Sequence, residues 1–209
     1  MPIRKPQPSD LTAVARIRNT ALKLFGEKGA AATSIREVAK AAGVSPGLVQ
    51  YHFSSKRSLE DAVSVYVGAM MAELARGDLT PGRTAPTLSL GATVVGFIRR
   101  NPEVVAYVRR VILEDDRVGR GLFDSIVQLS RKLNRRLQEK GLIRSNLDPV
   151  WTPLLTMILV LGPVLLEPAL NRYLDHPLRS EEGLSRWDAA VEDLYLSGIY
   201  RDRRGSNRG

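Results

Sequence analysis

Histidine and cysteine, the side chains most often used for metal ligation and nucleophilic chemistry, are scarce in this sequence. Cysteine is absent, so disulfides, thiolate metal sites and cysteine nucleophiles are excluded. The two histidines, His52 and His176, have no companions that suggest a metal site, although a pH-sensing role for His52 stays open. We find no nucleophile–base pair, metal cluster or cofactor loop. The sequence therefore predicts a protein that is not an enzyme and carries no cofactor.

Basic charge is concentrated at the two ends of the chain. Residues 1–57 contain ten Lys and Arg against three Asp and Glu. Residues 58–200 contain 17 against 18, and residues 201–209 contain four against one. A basic N-terminal unit on a neutral body suggests that this unit binds a polyanion. A run of charge that only aids solubility is the alternative interpretation.

Helix signals near the N-terminus predict two short helices joined by a tight turn. Ser34 followed by Glu37 is a capping-box pattern, which begins the first of these helices. Gly43 permits the positive backbone torsion that a tight turn needs. Ser45 then caps the second helix, with Pro46 in the tolerated first-turn position. Two helices joined in this way form the DNA-reading unit of many repressors, whose second helix lies in the major groove.

Such a helix-turn-helix needs a small residue where its helices cross and an apolar interior. Ala39 is suitably small for the crossing point. The residues predicted to form the core of the unit are Val38, Val44, Val49 and Phe53.

The rest of the chain also carries helical patterns, and no alternating strand pattern is found, so the fold class predicted is all-α. A first helix is predicted at about 10–28, and further helices at 58–76, 86–100, 102–113, 119–140, 149–166 and 184–200. We predict a flexible basic arm at 1–9, a helix-turn-helix domain at 10–57, a larger helical domain at 58–200 and a disordered basic tail at 201–209. The arm either reaches a DNA minor groove or is simply disordered.

No segment predicts a membrane protein. The polar, proline-rich start of the chain does not look like a signal peptide. The longest apolar stretch, 154–166, is 13 residues long and falls short of the ~20 residues that a membrane span needs. A cytoplasmic protein without a membrane partner is therefore expected.

An ordered set of short motifs between about residues 12 and 60 resembles the DNA-binding domain of the tetracycline-repressor (TetR) family. The motifs are ALKLFGEKG at 21–29, TSIREVA at 33–39, AGVSPG at 42–47, YHF at 51–53 and Lys56. The resemblance implies an N-terminal three-helix helix-turn-helix domain followed by a larger helical domain for ligand binding and dimerisation. It also implies a ligand-responsive repressor.

The resemblance assigns DNA contacts residue by residue. The exposed positions of the recognition helix correspond to Ser45, Pro46, Gly47, Leu48 and Gln50. Gln50 is the best candidate for a base contact, because its amide can pair bidentately with adenine. Tyr51, His52 and Lys56 match positions that bond phosphates, and Ser34 and Arg36 can reach the DNA backbone. Leu48 stands where similar sequences often carry a small polar residue, and it either contacts a thymine methyl or turns inward.

The second domain is expected to hold a mostly apolar effector pocket, although apolar residues at helical spacing are more often ordinary core, and core is the favoured interpretation of any single candidate. The candidates are Met70, Met71, Leu74, Phe97, Tyr107, Val111, Phe123, Val127, Trp151, Met157 and Leu161. No paired acids or metal cluster accompany them, which favours a small, largely hydrophobic effector.

The last two long helices carry more apolar residues than a monomer should expose, and the family uses this region for dimerisation. The predicted dimer residues are Leu155, Ile158, Leu159, Pro163, Leu166, Val191, Leu194, Tyr195 and Ile199. We therefore expect a homodimer on a palindromic double-stranded DNA operator. Two alternatives stay open at this point: a non-specific architectural DNA-binding protein and an activator of the same fold.

Overall fold

The structure is a computed structural model that describes residues 13–75 and 87–198. The side chains at 74–75, 87–93, 192 and 195–198 are excluded from that description. The predicted arm at 1–9, the tail at 201–209, the Leu74 and Tyr195 side chains and Ile199 thus lie outside the described residues.

Helices make up most of the described chain, and these residues include no β-strand, which confirms the all-α prediction. The helices are α1 (Ala13–Lys28), α2 (Ile35–Ala42), α3 (Pro46–His52), α4 (Lys56–Ala75), α5 (Thr87–Arg100), α6 (Pro102–Glu114), α7 (Arg117–Glu139), α8 (Trp151–Leu170) and α9 (Glu181–Gly198).

The chain divides into two compact units. Unit 1 comprises Met1–Ala69 and Pro102–Leu122, and unit 2 comprises Met70–Asn101 and Phe123–Gly209. The segment that contains α6 therefore belongs with the helix-turn-helix, whereas the sequence division at residue 57 placed it in the second domain. That division into domains stays a prediction, but the compact units do not follow it.

In unit 1, α1 packs against α6, α2 and α3, and α2 packs against α3. Val38 and Val49 are almost fully buried, and Phe53 is buried with them, as the sequence predicted. Val44 is only half-buried, because it lies at the turn between α2 and α3 and not on a helix face. The core of the helix-turn-helix is therefore built mainly from α2, α3 and the residue that ends α3.

Arg110 of α6 joins this helix to the C-terminal end of α1. Its Nε donates to the carbonyl oxygen of Gly26 at 3.2 Å, and its Nη2 donates to the carbonyl oxygen of Glu27 at 3.0 Å. Its Nη1 pairs with Glu114 at 3.2 Å. The last carbonyls of a helix lack intrahelical partners, so the guanidinium satisfies two of them for α1.

In unit 2, α5 packs against α9. A separate apolar cluster, built on Leu133, Leu137 and Ile143, closes the end of α7. Leu159 of α8 and Val191 of α9 pack against this cluster.

Helix α8 is the most apolar element, with a mean hydropathy of 1.9 and 28% of the apolar window buried. Its length and composition would suit a membrane span, whereas the sequence reasoning considered only the 13-residue stretch without charges. Core and interface helices of soluble proteins meet the same two criteria, so this finding is weak support for a membrane.

Candidate DNA interface

The first element of the interface is α2, whose N-terminus has a complete capping box. The Glu37 amide donates to Ser34 Oγ at 3.2 Å, and the Ser34 amide donates to Glu37 Oε2 at 2.8 Å. The ammonium of Lys28 also donates to Glu37 Oε1, which ties the end of α1 to the start of α2. The hydrogen bond from Lys28, followed by those from Ser34, lowers the pKa of Glu37 to about 2. The predicted contacts Ser34 and Arg36 are both exposed here.

A left-handed glycine links α2 to α3. Gly43 has φ 66°, and its amide donates to the carbonyls of Ala39 and Lys40. Ser45 then caps α3 by accepting a hydrogen bond from the Leu48 amide at 3.1 Å, with Pro46 as the first helical residue. The turn and both caps confirm the local structure that the sequence predicted.

The face that α3 leaves open carries most of the predicted recognition residues. Pro46, Gly47 and Gln50 are exposed, and a Cβ added at Gly47 would meet only Ser45 Oγ, at 3.9 Å. The Gln50 amide group is therefore free to reach a base edge. Leu48 is half-buried, so it is neither a fully exposed thymine contact nor a core residue.

Two aromatic side chains end α3. Tyr51 is 82% exposed, which rules out the packing role that a tyrosine at this position could have had. His52 is half-buried and meets the Tyr51 ring edge-on, with ring centroids 5.1 Å apart. The edge-on contact restrains both rings, and the phenol and imidazole remain accessible as hydrogen-bond donors.

The start of α4 supplies the last predicted contact. Ser55 and Ser58 cap one another's backbone amides at 3.1 Å. The Lys56 ammonium donates to the carbonyl oxygen of Ala31 at 3.2 Å. Because an ammonium has three hydrogens, this bond leaves donors for a phosphate and fixes where the charge lies.

Sequence reasoning missed Arg57 as a residue of this interface and Thr33 as a residue that supports it. Arg57 is exposed in the first turn of α4, beside Lys56, and can add a phosphate contact. Its position next to a motif lysine was the available signal. Thr33 is buried and donates to the carbonyl oxygen of Gly29 at 2.8 Å, which holds the loop between α1 and α2.

The sequence pattern of the family described as "Bacterial regulatory proteins, tetR family" matches residues 17–63 of the chain. This range contains the whole of α2 and α3. Residues 17–63 therefore form a helix-turn-helix domain similar to that of the TetR family.

Relatives and solved structures agree with this assignment. The HTH-type transcriptional regulatory protein RaaS of Mycobacterium tuberculosis is 27% identical over 68% of this chain and 64% of its own length. The HTH-type transcriptional repressor KstR2 of Rhodococcus jostii is 40% identical over 28% of this chain and 31% of its own length. The structure of SmeT, described as the repressor of the Stenotrophomonas maltophilia multidrug efflux pump SmeDEF, covers 94% of each chain with a TM-score of 0.65 at 20% identity.

The matches span less than two thirds of these curated relatives' lengths. The relatives are named HTH-type transcriptional regulators, and this chain shares with them the helix-turn-helix segment that the TetR-family pattern matches.

The predicted effector residues of the chain divide between the two compact units. Tyr107 and Val111 are buried in unit 1, where burial raises the pKa of the Tyr107 phenol and Ser64 shares a hydrogen bond with it. The candidates buried in unit 2 are Met70, Phe97, Met157 and Leu161, and those half-buried there are Met71 and Val127.

Of the other predicted effector residues, Trp151 is 58% exposed and Phe123 is 37% exposed, so burial does not support a place for them in an enclosed pocket. Trp151 begins α8 on the same side as Leu155 and Ile158. At 3.6 residues per turn these positions share one face of the helix.

The predicted dimer residues divide into two groups. Leu155, Ile158, Leu166 and Leu194 are exposed. Leu159 and Val191 instead pack against the cluster at the end of α7, and Pro163 is half-buried.

Among the described residues no group of three or more His, Asp or Glu side chains is placed to hold a metal ion.

Proposed function

We propose that this protein is a cytoplasmic, ligand-responsive repressor that binds a palindromic operator as a homodimer. The observation that carries the proposal is the open face of α3, which presents Gln50 and Tyr51 beside a basic helix start at Lys56 and Arg57. Base contacts from such a face specify a sequence, and the surrounding cations and hydroxyls position the protein on phosphates.

An apolar stripe on α8 supports the homodimer. We define the α8 stripe as Trp151, Leu155, Ile158, Gly162 and Leu166, which recur at spacings of three and four residues. The four large side chains are between 49% and 58% exposed, and a Cβ at Gly162 would meet no atom within 4 Å. A second copy of the stripe would remove this surface from water, as two-fold dimers do.

A small hydrophobic effector is the proposed signal. Its support is the buried, methionine-containing set of Met70, Phe97, Met157 and Leu161 in unit 2, since methionine adapts its shape to different ligands. SmeT, whose fold is similar, is described as the repressor of a multidrug efflux pump. An effector that binds one dimer geometry more tightly weakens DNA binding, and DNA must weaken effector binding by the same factor.

The effector class is tested by a thermal-shift screen of apolar and polar small molecules against the full chain. We expect apolar compounds to raise the melting temperature, because a ligand that binds the native state stabilises it. A screen in which only highly polar metabolites raise the melting temperature would contradict a hydrophobic effector.

The experiment that tests the DNA function is selection of random duplexes by the purified chain at 150–200 mM salt, an ionic strength at which non-specific binding is weak. We expect a two-fold symmetric consensus with half-sites about one helical turn apart or slightly more. Tight binding at low salt without any enriched sequence would instead favour a non-specific architectural protein.

Transcription from a promoter that carries the selected site then distinguishes a repressor from an activator. Addition of the chain is expected to lower transcript yield, whereas a rise would identify an activator of the same fold.

A further inference from the structure

A cavity in unit 2 lies apart from the residues that the effector proposal uses. Its walls are the last turns of α7, the connection from Ile143 to Pro149 and the first turn of α8. Its volume is about 190 Å³, which suits a small molecule of a few carbon atoms. None of the predicted effector residues lines it.

Two buried polar side chains on the wall of this cavity lack full hydrogen bonding. Thr152 is 8% exposed, and its hydroxyl neither donates to nor accepts from any described residue. Asn134, also 8% exposed, donates through Nδ2 to the Ser130 carbonyl at 3.0 Å and to Thr156 Oγ1 at 3.4 Å, while its Oδ1 has no described donor. Buried polar groups normally have hydrogen-bond partners, so we expect the Thr152 hydroxyl and Asn134 Oδ1 to bond to a molecule in the cavity.

The neighbouring polar side chains show that the helix pair can satisfy its own groups. Ser130 donates to the Pro153 carbonyl at 2.6 Å, and Thr156 donates to the carbonyl oxygen of Thr152 at 2.9 Å. Thr152 is one turn before Thr156 on α8 but makes no such bond back along its helix. Its free hydroxyl is therefore particular to the cavity wall and is not a general property of this contact.

Charge on the walls favours an anion. Arg131 and Arg135 are one turn apart on α7, so they share a face, and neither forms a salt bridge with any acid in the described ranges. Arg144 adds a third cation on another wall. The one acid of the lining, Asp148, accepts through Oδ1 from the amides of Val150 and Trp151 at 2.8 and 2.7 Å, so the walls carry three arginines against one carboxylate.

We propose that this cavity binds a small organic acid, whose carboxylate pairs with Arg131 and Arg135 and whose second polar group bonds to Thr152 and Asn134. Arginine suits the first role, because its planar group matches a carboxylate with two parallel hydrogen bonds. The Thr152 hydroxyl can donate or accept, whereas Asn134 Oδ1 can only accept, so the pair selects a ligand whose second polar group is a hydroxyl. Such a ligand differs in class from the hydrophobic effector proposed above.

Calorimetric titration of the full chain with malate, a hydroxy acid with two carboxylates, tests the site in the absence of DNA. We expect saturable binding at one site per chain at 150 mM salt. Arg135→Ala and Arg131→Ala should each weaken it about tenfold, since each removes a charge-assisted pair. Thr152→Val, which keeps shape and charge, should weaken it several-fold. Lys132→Ala, an exposed cation of α7 that does not line the cavity, is the matched control and should leave binding unchanged.

The competing outcomes each contradict the proposal. Absence of saturable malate binding rejects the site. Equal losses of malate affinity in Lys132→Ala and Arg135→Ala would show general charge attraction and not a specific site. Unchanged malate binding by Thr152→Val would show that the Thr152 hydroxyl does not contact the ligand, which contradicts the proposed site. Equal or tighter binding of inorganic phosphate would reject the organic acid as the ligand class. The duplex selection is a separate measurement, so failure here leaves the DNA function untouched.

Discussion

Gln50 is the residue on which sequence specificity is expected to depend. It is exposed on α3, and its amide can donate and accept at one base edge at the same time. Replacing it by Ala removes this contact and leaves the helix caps at Ser45 and Phe53 intact. We expect Gln50→Ala to lower discrimination at one operator position by about 1–3 kcal/mol, measured by competition between the consensus and single-base variants.

Arg36 provides the contrast to Gln50, because it is exposed on α2 and is proposed to bind phosphate. Arg36→Ala should weaken binding to all sequences alike and reduce the slope of log affinity against log salt by about 1. If Gln50→Ala also weakened all duplexes equally, Gln50 would be a backbone contact and the specificity would have to come from other residues.

Glu37 makes the stability of the helix-turn-helix dependent on acid. Its pKa falls from 4.5 to about 2 on folding, so the folded state favours the charged carboxylate. A depressed pKa contributes stability that is present above pH 4.5 and is lost as the pH falls toward 2. We expect Glu37→Gln, measured by urea unfolding, to be less stable than the parent at pH 7. The difference should shrink between pH 4.5 and 2, and a constant difference across that range would contradict this linkage.

Local chemistry at single residues could be predicted from the sequence, and long-range contacts could not. The caps at Ser34 and Ser45 and the turn at Gly43 depend on neighbours within a few positions, and the structure confirms all three. The Lys56 bond to Ala31 spans 25 residues, and the Arg110 bond to Gly26 spans 84. No periodicity or motif encodes such pairs, because the fold alone brings them together.

At the scale of elements, the contact between α1 and α6 depends on the small size of Gly26. A Cβ at this position would lie 2.9 Å from the Tyr107 amide nitrogen and 3.3 Å from the carbonyl carbon of Ala106. Backbone atoms cannot move aside as a flexible side chain can. We therefore expect Gly26→Ala to push the helices apart and to lower the free energy of unfolding by about 1–3 kcal/mol, measured with urea.

Gly121→Ala is the control for this substitution. Gly121 lies in α7 with no atom within 4 Å of an added Cβ, so the change should be neutral or stabilise by about 0.5–1 kcal/mol. Equal destabilisation by both variants would mean that the close approach of α1 and α6 does not matter. Wild-type stability of Gly26→Ala would lead to the same conclusion.

The helical pattern of α8 did not determine which of its faces lies in a pocket, in the core or in an interface. The sequence marks the whole helix as apolar, so the same residue types fit a pocket, a core or an interface. Trp151 was expected in the pocket and is exposed, and Leu159 was expected in the interface and packs on the cluster at the end of α7. Deciding between the faces required knowing how α7 packs against α8, which the helical period within a single segment does not encode.

At the scale of the whole molecule, the two compact units interleave along the chain. Pro102–Leu122 returns to unit 1 after Met70–Asn101 has entered unit 2. A linear division at residue 57 cannot express this arrangement, because the charge change and loop signals on which it relied are local. The α6 segment that Arg110 attaches to α1 is thus part of the unit that carries the DNA-binding face.

The proposed homodimer requires that the α8 stripe stays uncharged where two copies meet. A two-fold interface contains every substitution twice, so one buried charge per chain places two like charges in the contact. Interface centres are poor in charge because an unpaired buried carboxylate is costly. We expect Ile158→Glu to weaken the dimer by at least about 2 kcal/mol, roughly 30-fold in its dissociation constant, as measured by sedimentation equilibrium. Operator affinity should fall with it, since a monomer holds only one half-site.

Gln128→Glu, at an exposed site on α7, adds the same charge away from the stripe and should leave both the dimer and operator binding unchanged. A dimeric Ile158→Glu with parental operator affinity would show that the two chains meet elsewhere, and the exposed apolar face of α8 would then need another occupant. If Ile158→Glu and Gln128→Glu weakened the dimer alike, net charge rather than the stripe would control association. A monomeric Ile158→Glu whose unfolding free energy matches that of Gln128→Glu would assign the loss to the interface and not to the fold.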